Sequence, residues 1–196
     1  LAGTTCFTTG KITSQHGLFY TYLNDSFGTD FARDYLDINE KAIKNIQDII
    51  NKENIDCDFE VQNNYVYTTK KEEVNLLEKE QQVLESLGYH ADLSKNVSLP
   101  FDVEGTLCFK NQAKFNPLKY ILGLSKSIIN KKGQIYTNTI AVDIEKDTKN
   151  YVVYTDNDKK ITAKHVIMAT RYPFLNVPGF YFSKLYQATS YIVAMD

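Results

Sequence analysis

Apolar residues return every three or four positions from Thr29 to Asn54, at Phe31, Tyr35, Ile38, Ala42, Ile46 and Ile49-Ile50, which predicts a long helix with Thr29 as its N-cap. The period then changes to two. Phe59, Val61, Tyr65 and Tyr67 alternate within Asp58 to Thr68, a strand pattern with a bulge expected at Asn63-Asn64. Thr69-Lys70-Lys71-Glu72 has the form of a capping box and opens a second helix, with Val74, Leu77, Leu84 and Leu87 inward and Gly88 just past its end. Leu99 to Phe115 reads as extended chain punctuated by Pro100 and Gly105. Asn116-Pro117 starts a third helix with Leu118, Ile121-Leu122, Ser125 and Ile128-Ile129 on one face, closed by Gly133.

Beyond Gly133 the runs shorten. Gln134–Tyr136, Ile140–Glu145, Tyr151–Thr155 and Ile161–Ala169 are β-prone, and turn residues at 147–150 and 156–158 separate the last three into a meander. His165 to Ala169 is almost continuously apolar, as in a strand buried on both faces of a helix-covered sheet. The opening segment, Gly3 to Gly17, lacks an apolar period and reads as a loop handing over to a helix. Strands and helices are mixed, with both parallel-sheet and meander character, so the expected class is α+β or α/β.

Composition narrows the function little. The chain has 196 residues, 43% hydrophobic and 23% charged, with a formal net charge of −2, so nothing suggests nucleic acid or an anionic membrane as partner. Fourteen tyrosines and eleven phenylalanines suit a well-filled core or the wall of an apolar pocket. Cys6, Cys57 and Cys108 are far apart and odd in number, which fits free thiols in a reducing cytoplasm better than a zinc site or a disulfide framework. No apolar run reaches the length of a membrane span, and no signal peptide opens the chain. His16, His90 and His165 have no metal-ligand spacing, and no GxSxG, P-loop or GxGxxG is present.

Two segments carry candidate chemistry. Gly3-Thr4-Thr5 through Thr9-Gly10-Lys11-Ile12-Thr13-Ser14-Gln15-His16-Gly17 places hydroxyls, glycines and one cation in a loop, a cradle for a phosphate or a polar ring edge, though a self-capped loop would look the same. The exit Ala169-Thr170-Arg171-Tyr172-Pro173 has small residues where backbone can approach a ligand. With these, Asp56–Phe59, Tyr65–Thr69, Phe109–Pro117, Val142–Glu145, Ile161–Lys164, Pro178–Phe182 and Tyr186–Tyr191 follow in order, and together the chain resembles the D-amino-acid-oxidase-type family of FAD-dependent oxidoreductases. The resemblance is nearest to a bacterial branch fused to a Rieske iron–sulfur domain.

The resemblance implies oxidation of a C–N bond of a small-molecule amine or amino acid, with FAD as cofactor and a Rieske cluster in a further C-terminal domain. It implies cofactor contacts at Thr4, Thr5, Thr9, Lys11, Ile12, Val142, Ala169 and Thr170, and substrate contacts at Tyr65, Tyr67 and Tyr186, and names no catalytic residue. The resemblance implies two lobes, with segments 1–17 and 133–185 in the FAD lobe, and 18–132 and 186–196 in a helical insert and a substrate lobe built on a mixed sheet with helices on one side. Both ends read as cut, with the family's GxGxxG turn expected before Leu1 and its last flavin-contacting segment after Asp196, so this piece alone is expected to bind FAD poorly. A homo-oligomer is allowed for. The alternatives are a flavin-linked electron-transfer or structural subunit without its own substrate, and a non-enzymatic binding domain.

Overall fold

The computed structural model describes residues 4–97, 100–170, 172–175, 179–186 and 188, and the chain divides into two compact units, 1–132 and 133–196. In the first unit, β4 (Gly105–Lys114) is the central strand. It pairs along one edge with β2 (Glu60–Thr68), and along the other with β1 (Lys11–Ile12) and β3 (Asp92–Ser94). Every pairing is antiparallel, so the parallel component expected of a mixed sheet does not occur among the described residues. Helices α1 (Phe19–Phe27), α2 (Thr29–Glu53) and α3 (Val74–Ser86) cover one face. Leu107 and Phe109 of β4 meet Tyr20, Leu23, Ala32, Leu36, Leu77, Leu84 and Leu87 there, all buried. A second cluster, of Ile50, Ile55 and Cys57, packs with Phe59, Phe115, Tyr120 and Leu124 under α4 (Pro117–Asn130).

The bulge lies at the expected register, but its extra residue is on the partner strand. Gln62 faces Gln112 and Asn64 faces Phe109, so Asn63 stands against both Lys110 and Asn111, and Asn111 takes a left-handed φ of 56°. The three helices read from the sequence are present; α3 buries Leu77, Leu84 and Leu87 and α4 starts at Asn116-Pro117 as expected, while other ends differ and so do the faces of α2 and α4. Gly28, not Thr29, precedes α2, and the Thr29 hydroxyl instead donates to Asn24 Oδ1 at 2.9 Å. The capping box expected at Thr69–Glu72 does not form: the Thr68 hydroxyl accepts from Lys70 N and donates to Glu73, and neither the short 3-10 turn Lys71–Glu73 nor α3 after it has a side-chain cap. Gly88 does close α3, with Tyr89 N reaching Leu84 O and Gly88 N reaching Glu85 O, a Schellman motif. Lys132 (φ 65°), rather than Gly133, takes the left-handed position after α4.

The apolar stripe that announced α2 faces outward at Phe31, Ile38 and Ile49, while Ala32, Leu36, Ile43 and Ile50 make the core face. In α4, Tyr120 and Leu124 pack inward and Gly123 lies against Ile55, leaving Leu122, Ile128 and Ile129 exposed. Helix α1 has no side-chain cap of its own. The fully buried Glu80 of α3 supplies one, accepting from Tyr20 N at 2.8 Å and Thr21 N at 2.7 Å.

The second unit is a meander of β5 (Ala141–Asp147), β6 (Asn150–Thr155) and β7 (Lys160–Ala163), joined in order. Neither Gln134–Tyr136 nor His165–Ala169 forms a strand, and Ile167 is 89% exposed. A strand buried on both faces needs neighbours and a cover, and no described residue hydrogen-bonds to that run through its backbone.

Candidate functional site

Strand alternation sets the roles of Lys11 and Ile12. Ile12 is buried with Ile43 and Ala113, while Lys11 projects into solvent opposite Lys114. Only backbone is left at Ile12 to meet a ligand. Gly10 precedes them in the left-handed region (φ 66°), and its carbonyl accepts from Phe115 N at 3.0 Å. A Cβ on Gly10 would stand 2.2 Å from the Phe115 carbonyl oxygen, so no other residue fits without moving β4. Upstream, Thr4–Cys6 forms a 3-10 turn, leaving Thr4, Thr5 and Thr9 exposed.

Downstream, the loop is fastened by buried hydrogen bonds. Gln112 Oε1 accepts from Ser14 N at 2.7 Å, the Ser14 hydroxyl donates to Glu40 at 2.5 Å, and Gln112 Nε2 donates to Glu40 at 3.1 Å. Gln15 Nε2 donates to Leu107 O at 3.1 Å and its Oε1 accepts from Asn64 Nδ2 at 2.7 Å. Tyr20 closes the set through its hydroxyl to Ser14 O at 2.7 Å, and burial pushes that phenol well above its ordinary range. The hydroxyl-rich segment thus sits on a rigid support.

Two hollows flank Thr9. One, of about 370 Å³, is lined by Cys6, Thr8, Gly10, Asp58 and Phe115–Pro117 as well as Thr9 and Lys114. The other, of about 290 Å³, is lined by Thr9, Lys11, Gln62, Asn63, Asn64, Gln112, Ala113 and Lys114. Lys114 is paired with Glu60 at 2.9 Å, whereas Lys11 has no ion-pair partner among the described residues. The four amides were not among the sequence candidates. Their signal was present at Asn63-Asn64, read only as a bulge, and at Gln112, inside a run quoted for its resemblance. The amide nitrogens of Gln62, Asn64 and Gln112 are engaged with Glu60, Gln15 and Glu40, so the groups this lining offers to a polar ring edge or a carboxylate are chiefly the Thr9 hydroxyl and the Lys11 ammonium.

On the uncovered side of β2, Tyr65 and Tyr67 share a face and stay 42% and 49% exposed. Tyr67 packs on Phe101 with centroids 5.3 Å apart. Tyr65 stands across from Cys108, whose thiol is pushed up by burial although a hydrogen bond with Tyr65 opposes the shift. Alongside, Asp92 is flanked by Lys110 at 2.6 Å and His90 at 3.0 Å, and Lys110 above all holds its carboxyl below the usual range.

In the second unit, Val142 is the extra residue of a bulge, lying between the Ala141–Thr155 and Asp143–Tyr154 pairs. Thr170 lines a hollow of about 380 Å³ with Met168, Pro173, Tyr181, Lys184 and Leu185, and Ala169 adjoins it in sequence, exposed. Tyr186 is 93% exposed, and the strand expected to follow it, like Arg171, lies outside the described residues. The structure thus brings Thr9 and Lys11 together in the first unit, with Tyr65 and Tyr67 on another strand of that unit's sheet. Segment 1–17 is hydrogen-bonded to β4, within the same unit as 18–132. No cluster of three or more potential metal ligands occurs among the described residues, and no helix of theirs is long and apolar enough to cross a membrane.

The chain belongs to the DAO family of FAD-dependent oxidoreductases, whose family model matches residues 1–192. It is 35% identical over 195 residues to YhfW of Bacillus subtilis (strain 168), a protein named for a Rieske 2Fe-2S iron-sulfur centre, covering all of this chain and 38% of that protein. The chain therefore spans well under half of that relative. Among solved structures it is similar to glycine oxidase from Geobacillus kaustophilus, with a TM-score of 0.61 at 14% identity over 86% of this chain and 45% of the oxidase. It is also similar to L-amino acid deaminase from Proteus vulgaris, with a TM-score of 0.57 at 14% identity over 79% of this chain and 36% of the deaminase. At that identity the two structures establish the shared fold alone.

Proposed function

We propose that the intact protein oxidises a C–N bond of an amine or amino acid, and that this chain supplies one wall of its FAD site and an aromatic wall of its substrate site. The observation that carries this reading is the hollow where Thr9 and the unpaired Lys11 meet the amides of Gln62, Asn63 and Asn64, in a chain of the FAD-dependent family. When bound, the flavin supplies the redox chemistry by accepting a hydride. Thr4, Thr5, Thr9 and Lys11 bind and orient its polar edge, with Lys11 offering positive charge, and Ile12 contributes backbone only. Val142, Ala169 and Thr170 receive the adenosine half. Tyr65, Tyr67 and Tyr186 line the substrate side, where a ring face favours an ammonium group by roughly 0.5–2 kcal/mol.

The test is anaerobic titration of the full-length protein with a panel of amines and amino acids, following the visible absorbance of the flavin. Bleaching by a member of the panel is expected, and no bleaching by any of them overturns the proposal. Lys11→Ala is expected to lower the flavin's reduction potential or weaken FAD binding. An unchanged potential with unchanged affinity removes Lys11 from the site. Half-exposed Tyr67 contributes little to the core, so Tyr67→Ala and Tyr186→Ala should lower turnover more than melting temperature. A second reading, favoured by the name of the Bacillus subtilis relative, is that electrons leave through a Rieske-type cluster elsewhere in the intact protein. Iron analysis and electron paramagnetic resonance of the reduced full-length protein test that point directly.

A further inference from the structure

Helix α2 has two apolar stripes, and the fold uses one of them. Ala32, Leu36, Ile43 and Ile50 are buried, while Phe31, Ile38 and Ile49 are 50%, 65% and 38% exposed, and Ala42 is exposed between them. At helical geometry these four outer residues fall within about 40° of one another around the axis, over roughly 27 Å of length. The stripe is symmetric about Glu40, which is turned inward to Ser14 and Gln112: positions 31 and 49 lie nine residues to either side, and 38 and 42 lie two. Phe27, 5.1 Å from Phe31 between ring centroids, and Tyr22, 6.1 Å from Phe27, extend the patch at its N-terminal end, both more than half exposed.

We propose that this stripe is the seam of a homodimer, in which two α2 helices pack antiparallel about a two-fold axis at the level of Glu40. A two-fold that reverses the helix puts Phe31 on Ile49 of the partner subunit and Ile38 on the partner's Ala42, so each apolar residue meets an apolar residue and large meets small at the centre. Charge selects the same occupant and the same direction. Asp34 and Asp37 stand in the N-terminal half, Lys41, Lys44 and Lys52 in the C-terminal half, and none of the five has an ion pair among the described residues. Arg33 is committed to Asp30 and the carbonyls of Ser86 and Leu87, and Glu53 to Lys131 and Ser127, which leaves Asp48 as the one unpaired charge against the trend. Antiparallel packing sets the acidic half against the basic half, whereas parallel packing sets like on like. A contiguous exposed apolar patch rimmed by charge is the usual mark of such a contact.

Sedimentation velocity of the full-length protein over a concentration series tests this. The wild type is expected to dimerise, and Ile38→Asp to weaken the dimer by about 100-fold with its circular dichroism unchanged. The charge reversal Asp34→Lys with Asp37→Lys is expected to weaken it by about tenfold, and adding Lys41→Asp with Lys44→Asp to restore it. In a Cys6→Ser background, Phe31→Cys alone and Ile49→Cys alone should form no intersubunit disulfide, and the two mixed should form one. These cysteine variants perturb an exposed surface only, so they decide the matter even if a charged variant is poorly folded. A protein monomeric at every concentration overturns the proposal, as do a dimer indifferent to Ile38→Asp, charge reversal without restoration, and Phe31→Cys cross-linking to itself.

Discussion

Asn111 and Gly10 hold two left-handed positions beside the loop site, and they differ in what they tolerate. Asn111 is exposed at the bulge with φ 56°, so Asn111→Gly should be neutral within about 0.5 kcal/mol while Asn111→Val costs about 1–2 kcal/mol, measured by urea unfolding. Gly10 faces both the dihedral and the Phe115 carbonyl, so Gly10→Ala is expected to cost about 2–4 kcal/mol and to disturb the ends of β1 and β4 together. If Gly10→Ala melts like the wild type, the Gly10–Phe115 approach is looser than described. These demands were invisible in the sequence as chemistry. Gly10 read as loop flexibility, whereas its role is to bring two backbones within hydrogen-bond distance.

At the level of elements, periodicity located α2, α3 and α4 and the buried face of α3, where Leu77, Leu84 and Leu87 lie inward as expected, but it did not settle the faces of α2 and α4. In α2 the signal came from both sides: Phe31, Ile38 and Ile49 are exposed, while Tyr35, Ile46 and Ile50 pack inward with Ala32, Leu36 and Ile43, because a helix with two apolar stripes shows the same period whichever one the sheet covers. In α4 the close approach at Gly123 sets the inward face, and a glycine carries no weight in an apolar count. The run from His165 to Ala169 shows the opposite limit: local composition favours a strand, but a ladder requires a partner that composition cannot supply. The loop site was half legible. Thr9 and Lys11 were found through their residue types, while the amides facing them come from β2 and β4, about 50 and 100 residues further along, and only antiparallel pairing brings them near.

For the molecule as a whole, charge and burial set opposite pH limits. Asp25, Glu53, Glu60, Glu73 and Asp92 are each held below the ordinary carboxylate range by a lysine, so their contribution is present above about pH 4, the unfolded value, and is lost as pH falls through the folded values. Burial raises Tyr20 and Tyr89, so stability should decline again above about pH 10, where the unfolded phenols ionise first. Melting temperature against pH should show both shoulders, and added salt should shrink only the acid one, since ion pairing at the surface is screened and desolvation is not. Glu80 has a consequence of another kind, for the order of assembly. Its bonds to Tyr20 and Thr21 span 60 and 59 residues, so the start of α1 cannot be completed until α3 has formed and that long loop has closed. In stopped-flow measurements Glu80→Gln should therefore speed unfolding while leaving refolding nearly unchanged. Amide exchange at Tyr20 and Thr21 should accelerate in the same variant, because the first turn of α1 then opens independently of the helix that caps it.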